Sequence, residues 1–312
     1  MISPISNNCL WACPVCSHSA SFTIPFVDNN TNEVVCRSHG YHWRLCRTCG
    51  SGYPSISPTL AEMQSYWNKN RADTPNSTVA DEVWHRRLAA SAVWAQRTYD
   101  FVLPHIQSEK RRFLDVACGL GDTVALFQET GWHAEGVDAD PNSKVFHEKL
   151  GIYTTIGQIE NVNTSSRFDF VSIAHAIYFI SEPRSFVKRV RAMLDDDGLF
   201  LVVLSDFMST LSKERPGYVH TWYPTSNALR YLLEKEGFTI VKYIRSNGSI
   251  MVLARCCEQV SHCYARPYRD YMAHMTHNFR YLLVGKPLLK ANTILKRLKN
   301  YIGRKKKFSP PD

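Results

Sequence analysis

Two Cys-x-x-Cys pairs, Cys13-Pro-Val-Cys16 and Cys46-Arg-Thr-Cys49, are separated by 29 residues near the start of the chain. Zinc prefers four thiolates at the corners of a tetrahedron, and one tight Cys-x-x-Cys turn supplies two of them. Two such turns close the site, leave no open coordination position and so imply a structural rather than a catalytic ion. Gly50, directly after Cys49, suits the sharp turn such a knuckle needs. The alternative is two chance pairs of buried or redox-active thiols, but neither pair lies in the strand-to-helix setting of a redox motif. A second constellation is Phe113-Leu-Asp115-Val-Ala-Cys118-Gly119-Leu-Gly121-Asp122. An apolar strand runs into two glycines and then a helix. Glycines let backbone approach a ligand closely, and the helix start offers unpaired N–H groups. Asp138 ends the next apolar run, 17 residues beyond Gly121, where a carboxylate can accept both hydroxyls of a ribose.

The elements that must position these residues can be read from periodicity. Apolar residues at Val83, Trp84, Leu88, Val93, Trp94 and Phe101 predict a helix over 81–103, stopped by Pro104. Beyond Arg112, strands over 113–118, 134–138, 168–174 and 199–204 alternate with helices over 123–129, 143–150, 182–194 and 226–236. Strands over 238–244 and 249–255 follow in close succession, so that pair is expected to be antiparallel. The alternation predicts a doubly wound, mostly parallel α/β sheet with helices on both faces. Ahead of it, residues 1–55 are rich in Cys, Ser, Gly and aromatics, with short extended runs such as Ser21–Val27.

Composition bounds the reading further. At 312 residues the chain exceeds a single core. There is no run of 18 apolar residues and no secretory-type leader, which predicts a cytoplasmic protein with cysteines in metal binding rather than disulfides. The formal net charge is +9, and nine basic residues lie between Lys286 and Lys307 with no acidic one. The rest of the chain therefore sums to zero, unlike a protein that grips nucleic acid over its whole surface. Residues 287–302 place Leu288, Ala291, Leu295, Leu298 and Ile302 on one helical face opposite a basic one. Such a tail is read as a solvated helix, as a peripheral contact with the inner face of an anionic membrane, or as an RNA contact.

The stretch Asp115-Val-Ala-Cys-Gly-Leu-Gly-Asp122 resembles the first motif of class I S-adenosylmethionine-dependent methyltransferases. It lacks the third glycine of the dinucleotide fingerprint, since Val124 stands there. The resemblance implies a seven-stranded Rossmann-like sheet. It implies that Asp115, Ala117, Gly119 and Gly121 hold the methionine part of the cofactor and Asp138, with Ala139, the ribose. Gln158 and Ile159 fall to the adenine side, and Ala174 to the same pocket. Ala117 replaces a common glycine, and a negative φ would accommodate its methyl. The end of the fourth strand, His175-Ala-Ile-Tyr178-Phe179, is similar to the His-x-x-Glu-His of methyltransferases acting in bacterial glycan and sugar-nucleotide modification. Tyr178 and Phe179 stand where Glu and the second His would be. Tyr218-Val-His220-Thr-Trp222-Tyr223 and the helix behind it are similar to the closing motif of that group, in which a two-knuckle cysteine domain recurs.

A histidine near neutrality suits removal of a hydroxyl proton. The resemblance therefore points to His175 or His220 as base, with Tyr178 orienting it. The domain division expected is a zinc-binding domain over 1–55, a helical linker or lid over 56–107, the methyltransferase domain over 108–258 and a C-terminal extension over 259–312. The expected substrate is a sugar hydroxyl of a nucleotide-linked or lipid-linked glycan. Two alternatives are an RNA methyltransferase whose zinc domain grips RNA and a non-enzymatic zinc-ribbon interaction protein. Against the first, no Asn-Pro-Pro-Tyr-type motif follows the fourth strand. Against the second, Asp115, Gly119, Gly121 and Asp138 are all present.

Overall fold

The computed structural model describes residues 12–24, 26–27, 34–35, 37–38, 41–59, 61–63, 81–107, 109, 111–157, 159, 167–205, 207, 220–246, 249–257, 269, 271–272 and 275–276. Gln158, Asp206, Cys9, Cys36, His39 and the basic tail lie outside the described residues.

Among the described residues the N-terminal part contains six short strands: β1 (Ser21–Thr23), β2 (Phe26–Val27), β3 (Val34–Val35), β4 (Arg37–Ser38), β5 (Tyr41–Cys46) and β6 (Ser51–Pro54). A 22-residue helix α1 (Asp81–Val102) follows and ends at the Pro104 turn, where the spacing of apolar residues predicts it.

From there the chain alternates as β7 (Arg112–Val116), α2 (Asp122–Glu129), β8 (His133–Asp138), α3 (Lys144–Leu150) and β9 (Tyr153–Ile156). It continues with β10 (Phe168–Ala174), α4 (Pro183–Met193), β11 (Leu194–Ser205), β12 (Tyr223–Pro224) and α5 (Ser226–Lys235). The last two strands are β13 (Phe238–Ser246) and β14 (Ser249–Cys256).

Seven of these strands form one sheet in the order β13-β14-β11-β10-β7-β8-β9. Its pairs are parallel from β11 to β9, while β14 is antiparallel to both β11 and β13. This is the doubly wound, mostly parallel sheet expected from the alternation, with the seven strands that the resemblance implies. The strand β9 carries no apolar run, and three of its four residues are exposed at the sheet edge, so periodicity does not reveal it. Between β10 and β11 the register jumps, with Phe168 opposite Leu194 and Phe170 opposite Leu199, so the Asp195–Gly198 stretch bulges outward.

Side chains alternate across the sheet, and each face buries its own layer. Phe113, Phe170, Leu201 and Val203 join Phe101, Val102, Val124 and Phe127 of α1 and α2. Leu114, Val171, Val202 and Val252 join Phe186, Val190, Leu229 and Leu233 of α4 and α5. That second layer continues without interruption into Trp43, Leu45, Tyr53 and the cysteines of the N-terminal part. Among the described residues no helix is long and apolar enough to cross a membrane.

Candidate active site

The carboxyl ends of β7, β8 and β10 meet at the point where the sheet order reverses, the place where open α/β sheets bind ligands. The turn after β7 is held in an uncommon backbone conformation. Ala117, Gly119 and Gly121 have φ of 56°, 57° and 90°. A β-carbon at Gly121 would lie 2.3 Å from Ile152 Cδ1, whereas one at Gly119 would meet nothing within 4 Å. Gly121 is thus fixed by packing, and Gly119 leaves open space for a ligand. The expectation of a negative φ at Ala117 is overturned. Its methyl sits in the left-handed region at a cost of roughly 1–2 kcal/mol, because the residue continues the same tight turn as Gly119 and Gly121.

Asp138 is buried and holds this turn. Its Oδ2 accepts from Gly119 N at 2.8 Å and its Oδ1 accepts from Asp140 N at 2.8 Å. Asp115 is buried too and accepts from Ser172 Oγ on β10. Burial pushes the Asp115 carboxyl up to about 7; the Ser172 bond opposes this, and the charge of Asp138 adds a smaller push in the same direction as burial. A carboxylate in that state is relieved by an incoming cation such as an amino group. His147 of α3, fully buried, lies with Nε2 2.8 Å from Gly119 O, which fixes the proton on Nε2. Ala139 is exposed beside Asp138, Ala174 is half-buried at the end of β10, and Ile159 is buried with its carbonyl accepting from Arg189 Nε. These residues can receive a nucleoside with an amino acid attached, and their chemistry fits S-adenosylmethionine.

The other side of the cleft begins at His175, directly after β10. Its φ is 54°, and its N–H donates to Val203 O at 2.7 Å. The residue is exposed as a whole, but its ring lies against Trp94 of α1 at 5.6 Å between centroids, and desolvation lowers its pKa. A non-glycine residue in this region at a strand end is a common sign of a functional constraint.

Next comes a 3-10 turn, Ile177–Phe179. The segment 221–225 is clamped onto it. Thr221 N donates to Tyr178 O, Thr221 Oγ1 to Ile180 O and Trp222 Nε1 to Ile177 O. The clamp brings His220 edge-on to Tyr178, with ring centroids 4.7 Å apart, and close to Phe179 and Tyr223. Burial pushes the His220 pKa down to about 4, and its Nδ1 is buried without a hydrogen-bond partner among the described residues. The structure thus joins His220 with Tyr178, 42 residues apart in sequence, and places His175 at the strand end leading into the same turn.

The chain matches the methyltransferase domain family over residues 83–243, just over half its length. The chain belongs to that family. This methyltransferase also matches solved methyltransferase structures at low identity. One is magnesium protoporphyrin IX methyltransferase of Synechocystis PCC 6803 with bound S-adenosylhomocysteine, at 14% identity and a TM-score of 0.49, covering 64% of this chain and all of that one. Another is the 1,6-didemethyltoxoflavin-N1-methyltransferase of Burkholderia thailandensis, at 18% identity and a TM-score of 0.47, covering 70% and 99%. A third is an amino pentose methyltransferase of Micromonospora echinaspora, at 16% and 0.44, covering 56% and 95%. A comparison with curated proteins returns no match.

In the methyltransferase, the two cysteine pairs come together. Cys13 Sγ lies 3.6 Å from Cys49 Sγ and Cys16 Sγ 3.5 Å from Cys46 Sγ, and all four sulfurs lie within 4.8 Å of one another. A zinc–sulfur distance of about 2.3 Å implies tetrahedral edges of about 3.8 Å, so the cluster is compatible with zinc. Val15 N and Thr48 N donate to Cys13 Sγ and Cys46 Sγ at 3.4 Å, which disperses thiolate charge. His18 is exposed beside the cluster.

Three residues of the site escape sequence reasoning. A single serine in the apolar run of β10 is the only signal for Ser172. His147 reads as one polar residue on a helix, and Trp94 as one more apolar position of α1.

Proposed function

We propose that this methyltransferase transfers the methyl group of S-adenosylmethionine to a sugar hydroxyl of a nucleotide-linked or lipid-linked glycan. We propose also that the four cysteines hold a structural zinc. The observation that carries the reading is His220, a half-buried residue set against Tyr178 whose buried Nδ1 has no hydrogen-bond partner among the described residues, close to the strand ends that form the cofactor cleft. The cofactor supplies an electrophilic methyl carbon on a sulfonium leaving group. Asp138 and Gly119 fix the nucleoside side, and Asp115 takes the amino group. His220 Nδ1 accepts the hydroxyl proton as the oxygen–carbon bond forms. Burial keeps the ring neutral throughout the physiological range, although a pKa of about 4 makes it a weaker base than the near-neutral histidine expected from the sequence. Tyr178 orients the imidazole, and the partly exposed ring of Phe179 offers an apolar surface to a sugar. His175, at the strand end, is the second candidate for the base.

Incubation with methyl-labelled cofactor and a panel of nucleotide- and lipid-linked sugars is expected to label a sugar oxygen. A protein that binds S-adenosylhomocysteine normally yet labels none of the panel would overturn the acceptor assignment.

A further inference from the structure

The N-terminal ribbon does not end at its own boundary. Its four-stranded path runs β1-β5-β6-β12, and β12 belongs to the segment that carries His220. Tyr223 pairs with Gly52 and Pro224 with Ser51. On the ribbon side, Ser51 is tied to the cysteine cluster, since its Oγ lies 3.3 Å from Cys49 Sγ. The second knuckle closes with Gly50 N donating to Cys46 O, and Gly50 O in turn accepts from Thr225 Oγ1 at 3.3 Å. That same Thr225 hydroxyl caps α5 by accepting from Ala228 N.

Rings continue the connection. Trp43 of β5 packs on Phe207, Phe207 on Tyr223, Tyr223 stacks on Tyr178, and Tyr178 meets His220. Trp43, Trp222 and Phe207 are fully buried. Fully buried rings in one uninterrupted core resist relative motion, because any gap forfeits close packing on both sides.

We infer that the four-cysteine cluster is a positioning element of the acceptor half: with its metal bound, the second knuckle sets β6, β6 sets β12, and β12 holds His220 against the Tyr178 turn. The inference rests on the reading of His220 as an acceptor-side group. The cofactor loop has hydrogen bonds of its own, with Asp138 and His147, and meets the connection through the buried layer of Leu114, Val116 and Val137 that β7 and β8 share with Trp43. Because those bonds do not pass through the cysteines, metal loss should loosen one half of the cleft and spare the other.

The test is amide hydrogen exchange of the full chain, zinc-loaded and after stripping with a chelator, with S-adenosylhomocysteine titrated against both. Stripping is expected to speed exchange over 51–54 and 221–225 by about tenfold or more while leaving 113–118 and 133–138 and the affinity for S-adenosylhomocysteine within about threefold. A second variant avoids the cysteines altogether. In Gly52→Ala the new β-carbon would lie 2.6 Å from Phe207 Cζ and 2.7 Å from Tyr223 O, forcing β6 from β12. It should retain stoichiometric zinc and show the same rise over 221–225. Unchanged protection of 221–225 in both samples would overturn the inference. So would a stripped chain that loses S-adenosylhomocysteine binding altogether while zinc-loaded Gly52→Ala behaves like the parent, since the metal would then staple the whole fold. Sugar labelling tests the acceptor assignment separately, so the two can fail independently.

Discussion

The two halves of the cleft are built on opposite plans. The cofactor half is local: β7, its turn, α2 and β8 are consecutive, and Asp138 reaches back 19 residues to Gly119 N. The acceptor half is assembled from three distant stretches, the ribbon around 43–53, the turn at 177–180 and the clamp at 220–225. A local half tolerates damage elsewhere in the chain. A composite half depends on each of its contributors, and here one of them is a four-cysteine cluster.

The sharpest way to break this contrast is at Asp138. Its carboxylate accepts two backbone N–H groups, each charge-assisted bond being worth about 1.5–3 kcal/mol. Asp138→Ala should weaken S-adenosylhomocysteine binding on the order of 10³-fold by calorimetry. Zinc content and the hydrogen-exchange protection of 221–225 should not change. If that protection falls as well, the halves are not independent.

The two halves should also titrate in opposite directions. Asp115 has its pKa raised to about 7, so the folded state binds more protons than the unfolded chain between about pH 4 and 7. Its contribution makes stability fall as pH rises through that window. His220 has its pKa lowered to about 4, so the folded state binds fewer protons, and its contribution makes stability rise over nearly the same window. At the limits the first amounts to about 4 kcal/mol and the second to about 3 kcal/mol. Asp115→Asn should leave a melting temperature that climbs from pH 4 to 6.5, and His220→Asn one that declines from pH 4 to 7. Two variants that both track the parent curve would sink the assignment.

The proposed base gives the next effect. His220→Asn should lower methyl transfer at least about 10²-fold with cofactor affinity unchanged, and His175→Asn less. A reversed order would make His175 the base. The smallest effect is at the strained turn, where Ala117→Gly removes a left-handed alanine. It should stabilise the protein by no more than about 1 kcal/mol, since glycine's freedom in the unfolded chain offsets part of the relief. A clear loss of stability would mean that the methyl packs usefully.

Legibility follows the same division. The glycine turn, the acid ending β8 and the four cysteines are all apparent in sequence because each is a short spacing with one chemical purpose. Helix α4 and strand β10 fall almost where periodicity puts them. Edge strand β9 does not, because a strand with three exposed residues carries no apolar pattern. His147 and Ser172 are equally hidden, since their importance lies in what they touch rather than in where they stand.

By itself the sequence determined the alternating α/β architecture, the two knuckles, the cofactor turn and the histidines able to accept a proton. Each follows from residue type and short-range periodicity, which act before the chain is compact. Only the tertiary structure decided that Ala117 turns left-handed, that His220 is brought edge-on to Tyr178 across the clamp, and that the ribbon borrows a strand from the methyltransferase domain. Those outcomes depend on which apolar faces meet when the core closes, and residues 175 positions apart, such as Gly50 and Thr225, leave no trace of such a meeting in their own sequence.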